Sequence, residues 1–208
     1  MKQLTILIVI IFYSIKLSSQ TSDYENKLAQ YMAEFKSNAY SDESRMTLFD
    51  DMETLKNQIG IQVNLSNSYN EEYRSLVTTQ KKIKAFYNYL GCFSKYPNNE
   101  IPKEEFDYIN AVLNVYPREL VGLTCNYATC YEITFGKFKA VVVYNKLKRT
   151  DNWDYRMIEV EYDCIYDGHP YQRGSFNLAG NNIQVMESLT EKGNSNYKIV
   201  NVRCKETK

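Results

Sequence analysis

The chain has 208 residues, with 25 Lys and Arg, 25 Asp and Glu, a single His, 44% hydrophobic residues and 14% aromatic residues. That length and apolar fraction suit one domain with its own core. The zero formal charge argues against a protein that coats nucleic acid or anionic lipid, because such binding needs a concentrated basic face. One histidine, His169, excludes zinc sites built on paired histidines.

The first 20 residues have the three-part pattern of a secretory signal. They begin with a basic residue, are almost wholly apolar over 4–13 and end in small polar residues. A membrane span needs about 20 apolar residues, and Lys16 interrupts the run before that length. We therefore predict a signal peptide over 1–20, cut between Ser18 and Thr21. The mature chain is expected to be soluble, secreted or periplasmic, and without stable membrane insertion.

Residues 21–116 are predicted to be mainly helical. Apolar side chains recur there at helical spacing in four segments, which start near Ser22, Asp42, Asn70 and Pro102. The second helix is expected to end at Gly60, because a glycine suits a left-handed helix cap. The alternation of apolar and polar residues over 61–65 then predicts a short strand.

Residues 117–208 are predicted to be mainly antiparallel strands, because the apolar pattern there alternates. The clearest pair spans 129–144, where Gly136 and Lys137 suit a two-residue turn with glycine first. This turn would place Phe135 opposite Phe138, Ile133 opposite Ala140, and Tyr131 opposite Val142.

A third strand over 155–166 would direct apolar residues to one face and three acids to the other. The acids are Glu159, Glu161 and Asp163. After a turn over 167–170, further strands are expected at 175–178, 183–189 and 197–204.

Helices that precede an antiparallel sheet define an α+β domain. We expect one domain over 21–208, with the helices packed on the apolar face of a curved β-meander. The element order, a helix hairpin, a short strand, a long helix and then the meander, resembles the cone-shaped NTF2-like and cystatin-like folds. The resemblance rests on element order alone, so it implies a fold and neither an activity nor site residues.

Five cysteines lie in the predicted mature chain, and export would let disulfides persist. Proximity favours a bridge between Cys125 and Cys130. Cys164 and Cys204 follow apolar residues on alternating strands and are equally typical of buried thiols. The pairing stays open at this point.

Two polar groups are candidates for chemistry. His169 lies near Asp167 and Arg173 in a predicted turn, where an imidazole beside an acid can act as a general base. Glu159 and Glu161 are alternate residues of one strand, which can work as an acid and base pair. Each pattern is also typical of ordinary structure, a hairpin loop in the first case and a solvated sheet face in the second.

The aromatic residues are the most unusual feature, with 19 Tyr, 9 Phe and one Trp. Tyrosine combines an apolar ring with a hydroxyl group, which suits the binding of a protein or a small molecule. The candidate ligand-binding residues are Tyr131, Tyr144, Trp153, Tyr162 and Tyr166. The alternative interpretation is that these side chains belong to the core.

The sequence therefore predicts an exported, non-enzymatic binding or accessory domain for a protein or small-molecule ligand. No cofactor, metal or nucleic-acid partner is expected, because no motif for one is present. The alternative functions are a small hydrolase or isomerase that uses His169 with Asp167 or Glu159 with Glu161, and a structural component of an assembly.

Overall fold

The computed structural model describes residues 2–37, 42–66, 70–93, 99–114, 118–119, 125–135, 138–148, 156–188, 190–191 and 195–207. Within these ranges, no helix carries an apolar stretch of membrane-spanning length. The predicted α+β class is confirmed, with helices first and antiparallel strands after them.

The helices of the described residues are α1 (Lys2–Ser37), α2 (Asp42–Leu65), α3 (Glu71–Phe93) and α4 (Lys103–Leu113). The predicted cap of α3 is present, because the backbone N–H of Tyr73 donates to Oδ1 of Asn70 at 2.9 Å. The buried stripe of α3 includes Leu76, Ile83, Phe86 and Leu90, at the spacing of one helix face.

The predicted strand at 61–65 is wrong, since α2 continues through Gly60 to Leu65. Leu55 and Ile59 are buried, and Val63 packs against the same core. These residues recur every four positions, so they extend the apolar stripe of the helix. Five residues are too few to distinguish that stripe from the alternation of a strand.

Aromatic contacts hold α1 on α3. The ring of Phe35 lies edge-on to Phe86 and to Tyr89, with 5.8 Å between ring centres in each pair. All three side chains are almost completely buried. Such pairs contribute about 0.5–1.5 kcal/mol each beyond the burial of their area.

The strands are β1 (Ile101–Pro102), β2 (Arg118–Glu119), β3 (Ala128–Phe135), β4 (Phe138–Asn145), β5 (Met157–Tyr166), β6 (His169–Ala179), β7 (Asn182–Ser188), β8 (Thr190–Glu191), β9 (Ser195–Asn196) and β10 (Lys198–Thr207). The first sheet has the order β1-β7-β4-β3-β2, the second sheet has the order β10-β5-β6, and β8 pairs with β9.

The register predicted for the hairpin of β3 and β4 is confirmed. Phe135 lies opposite Phe138, Ile133 opposite Ala140, and Tyr131 opposite Val142. The turn residues 136 and 137 lie outside the described residues.

The first sheet is buried on both faces, because successive residues of β4 face different layers. Ala140 and Val142 belong to the core beneath the helices, whereas Val141 and Val143 belong to a core shared with the second sheet. The second sheet contributes Ile158, Val160 and Leu178 to that shared core. The strands thus form two layers and not one continuous meander, and the NTF2-like resemblance is not confirmed.

Asn145 joins the two sheets at the end of β4. Its side chain is completely buried, and Nδ2 donates to the carbonyl oxygens of Leu178 at 2.8 Å and Arg156 at 3.2 Å. Its Oδ1 accepts the backbone N–H of Leu147 at 3.0 Å. A buried amide is tolerated here because these bonds satisfy it.

The predicted bridge between Cys125 and Cys130 is wrong. Cys125 lies at disulfide distance from Cys204, with 5.6 Å between the Cα atoms. Cys130 is a buried thiol of the core between the sheets, and burial raises its pKa to about 12. Strand β10, 79 residues further along the chain, brings Cys204 to Cys125. In the chain-entropy model, closing so long a loop stabilises the fold by about 4–5 kcal/mol.

Gly180 and Gly60 offer a matched pair of substitutions. We expect Gly180→Ala to lower the free energy of unfolding by about 1–3 kcal/mol, because the added Cβ would lie 2.6 Å from the carbonyl oxygen of Leu147 and 3.2 Å from that of Arg156. Gly60→Ala should raise it by about 0.5–1 kcal/mol, because the added Cβ meets only Nε2 of Gln80, at 3.7 Å. Urea denaturation measures both effects. A neutral Gly180→Ala would contradict the described junction of the two sheets.

Candidate ligand-binding site

The predicted acid pair, Glu159 and Glu161, lies on the outward face of β5 and is paired with cations of β10. Lys205 Nζ is 2.9 Å from Glu159 Oε2 and 4.0 Å from Glu161 Oε1, and Arg203 Nε is 3.8 Å from Glu161 Oε2. The structure therefore places both acids in a cross-strand ladder on the surface.

His169 and Asp167 lie at the hairpin between β5 and β6. Asp167 and Gly168 form the turn, with φ angles of 48° and 79°, as a tight hairpin turn requires. His169 is the first residue of β6, is exposed and lies opposite Tyr166. His169 and Asp167 are close in sequence, but neither of them lines the cavity that the structure contains at this end of the second sheet.

The candidate tyrosines are divided between different layers. Tyr131 and Tyr144 are half-buried against the helical core, and the hydroxyl of Tyr144 donates to Oδ1 of Asn181 at 3.3 Å. Tyr162 packs against the core between the sheets, whereas Tyr166 is exposed at the end of β5. Trp153 lies outside the described residues.

A cavity of about 400 Å³ lies at the end of the second sheet that is next to the turn between β5 and β6. All three strands line it, with residues 163–165 of β5, 170–173 of β6 and 200–201 of β10. Its volume falls within the range of about 300–1,000 Å³ that is usual for small-molecule sites.

Two irregularities in strand pairing produce this cavity. In β6, Gln172 pairs with Cys164 and Pro170 pairs with Ile165, so Tyr171 has no directly opposite residue. In β10, the register shifts by one residue after Val200, where Asn201 adopts a φ of 52°. Bulges bend their strands and redirect side chains. One bulge in β6 and one in β10 therefore separate these strands from β5 near residues 163–165.

Asp163 is the polar centre of the cavity. Its carboxylate accepts bonds from Nδ2 of Asn201 at 3.1 Å, Nε of Arg173 at 3.0 Å and Nη1 of Arg203 at 3.3 Å. These bonds lower the pKa of Asp163 to about 2. The carboxylate therefore remains ionised at neutral pH and holds the two bulged strands to β5.

Three tyrosine rings form a continuous cluster on the Cys164 face of β5, opposite the face that carries Asp163. The ring of Tyr171 is 5.9 Å from that of Tyr166 and 6.2 Å, edge-on, from that of Tyr197. The hydroxyl of Tyr197 and the thiol of Cys164 are 2.7 Å apart and share a hydrogen bond. Burial and this bond raise the pKa of Tyr197. The side of the cluster toward the protein is thus fixed, while Tyr171 remains 66% exposed and Tyr166 43% exposed.

Sequence reasoning identified Tyr166 and Arg173 of this site but missed Tyr171, Tyr197, Asn201 and the central role of Asp163. Asp163 was assigned to a uniform row of acids, and the two strand bulges have no periodic signal. The Pro170-Tyr171 pair near a turn was the one available indication, because proline is confined to irregular or edge positions of a sheet.

Among the residues that the structure describes, no group of three or more His, Cys, Asp or Glu side chains could hold a metal ion. No family model, curated protein or solved structure matches this chain. The geometry of the tyrosine cluster and its cavity is therefore the basis for a functional proposal.

Proposed function

We propose that this chain is an exported, non-enzymatic binding domain, whose ligand contacts the tyrosine cluster at the bulged end of the second sheet. The observation that carries the proposal is the exposed Tyr171 ring, held between Tyr166 and Tyr197 on the Cys164 face of the second sheet. An exposed aromatic ring that is already oriented loses little conformational entropy when a ligand packs on it.

The polar groups at the site also favour binding over catalysis. A catalytic carboxylate usually has a pKa near the working pH, but the bonds to Asp163 hold its pKa at about 2. The hydrolase or isomerase alternative relies on His169 with Asp167 or on Glu159 with Glu161. These pairs lie outside the cavity lining, and the two glutamates already face Lys205 and Arg203.

Export is part of this proposal and has two sources of support. Residues 1–20 have the pattern of a signal peptide. Cys125 and Cys204 lie at disulfide distance, which is compatible with a secreted or periplasmic location.

Expression of the full chain in insect cells under its own residues 1–20 tests export. We expect the medium to contain a chain whose intact mass corresponds to a start at residue 19, 20 or 21. Ile8→Arg should keep the chain inside the cell, because a charge interrupts the apolar segment that the export machinery recognises. Retention of the unsubstituted, full-length chain would contradict the proposal.

Amide NMR with a small-fragment library tests the binding site. We expect the shifted amides to lie in 163–173 and 197–201, and Tyr171→Ala to weaken the best fragments about tenfold, the equivalent of about 1.4 kcal/mol. The matched control is Tyr108→Ala, because Tyr108 is 42% exposed on α4 and lies outside the cavity lining. Fragments that bind elsewhere, or that bind Tyr171→Ala unchanged, would contradict the proposed site. Hydrolysis of chromogenic esters or glycosides by the protein would instead favour the enzymatic alternative.

A further inference from the structure

The cavity at the bulged end of the second sheet belongs to the outward face, which carries Asp163. Residues that lie opposite each other on neighbouring strands direct their side chains to the same face. The tyrosine cluster lies on the other face, with Cys164. Two rows of residues cross β5 on the outward face at the cavity, Val200-Asp163-Arg173 and Lys198-Ile165-Pro170. We call the surface that these two rows form the outward groove.

The floor of the outward groove is apolar. Ile165 lies directly opposite Pro170 and diagonally across from Val200, and all three residues line the cavity. Ile165 and Val200 are half-buried, and Pro170 is exposed. A concave surface of this kind suits the apolar part of a small ligand.

Two cations at the sides of the outward groove have free donors. Arg173 uses Nε to bond Asp163, and its two Nη groups make no hydrogen bond to any residue that the structure describes. Lys198 is exposed and forms no ion pair within the described part of the chain. The Cα atoms of Lys198 and Arg173 are about 12 Å apart, from the spacing of strands and of residues along them. Both long side chains can therefore reach one anionic group above Ile165.

The acids of this face are already paired. Asp163 accepts bonds from Arg173 and Arg203, and Glu159 and Glu161 lie 2.9 Å and 4.0 Å from Nζ of Lys205. Over residues 159–165 of β5 and the residues opposite them, the face carries three acids and four cations, Glu159, Glu161, Asp163, Arg173, Lys198, Arg203 and Lys205. The excess of one positive charge favours an anionic ligand.

From these observations we infer that the outward groove binds a small amphipathic carboxylate, whose charged group lies between Lys198 and Arg173 and whose alkyl chain covers Ile165. A carboxylate can accept two parallel bonds from the Nη groups of a guanidinium. Its single negative charge also matches the excess of one cation. This inference goes beyond the proposed function, because the ligand of the tyrosine cluster binds the opposite face of the sheet.

Titration of the full mature chain with octanoate tests the inference, with NMR of side-chain methyl groups as the readout. We expect saturable shifts of the methyl groups of Ile165 and Val200, with Kd below about 1 mM. The methyl groups of Ile199 should not shift, because Ile199 lies opposite Cys164 and faces the other side of the sheet. Affinity should fall at least about twofold between about 50 and 500 mM NaCl, because salt screens the attraction.

Comparison ligands separate the charge from the chain. Octanamide has the same chain without the charge and should bind at least about fivefold more weakly. Octylammonium, which has the opposite charge, should give no saturable shift at Ile165. From hexanoate to decanoate, each added CH2 group should raise the affinity about two- to fourfold, because it buries more apolar surface.

Substitutions locate the carboxylate. Lys198→Gln should weaken octanoate binding at least about fivefold, whereas Lys198→Arg should change it less than about twofold. The matched control is Lys205→Gln, which removes the same charge from the same strand but at a residue paired with Glu159. It should change binding less than about twofold, because that charge is distant and screened. Thermal unfolding of each variant checks that the fold is retained.

The outcomes distinguish the inference from the proposed function. No saturable octanoate binding, or equal binding to the unsubstituted chain and to Lys198→Gln, would overturn the inference and leave the tyrosine cluster untouched. Octanoate that shifts Ile199 and is lost in Tyr171→Ala would also overturn it, because the ligand would then lie on the tyrosine face. Octanoate binding that Tyr171→Ala leaves unchanged supports the outward groove, even where no fragment binds the tyrosine cluster.

Discussion

Burial of both faces of the first sheet is the constraint on which the rest of the structure depends. In β4, residues 140–143 are all buried, and they alternate between the helical core and the core between the sheets. Each fully buried aliphatic side chain contributes about 1.5–3 kcal/mol, whereas an exposed ion pair contributes about 0–1 kcal/mol. The second sheet is therefore held mainly by side chains such as Val143 and Ile158, and only weakly by the ladder of charges on its outer face.

The two ends of the second sheet differ in how they are held. Near residue 156 it is fastened to the first sheet by the buried amide of Asn145 and by the tight turn at Gly180. The tyrosine cluster lies about 30 Å further along β5, at about 3.3 Å per residue. There the paired strands bulge and the backbone departs from a regular ladder. This contrast between a fixed end and an irregular, exposed end is consistent with the proposed binding function.

Much of the fold was predictable because its signals are local. The N-cap at Asn70, the apolar stripe of α3 and the register across the hairpin of β3 and β4 all follow from spacing along a short segment. The pairing of Cys125 with Cys204 and the second layer of strands depend on contacts between distant segments, which no local pattern encodes. The site was recognised only in part for the same reason: Tyr171 and Tyr197 are 26 positions apart and meet because β6 and β10 flank the end of β5.

Non-reducing peptide mapping of the secreted chain, alkylated before digestion, tests the two-sheet arrangement most directly. Cys125 lies between β2 and β3 of the first sheet and Cys204 lies in β10 of the second, so a bond between them requires the two sheets to pack as described. We expect one peptide pair that joins Cys125 to Cys204, with Cys130 recovered as an alkylated thiol. A bond between Cys125 and Cys130, with Cys204 free, would contradict the position of β10 and with it the cavity that β10 helps to form.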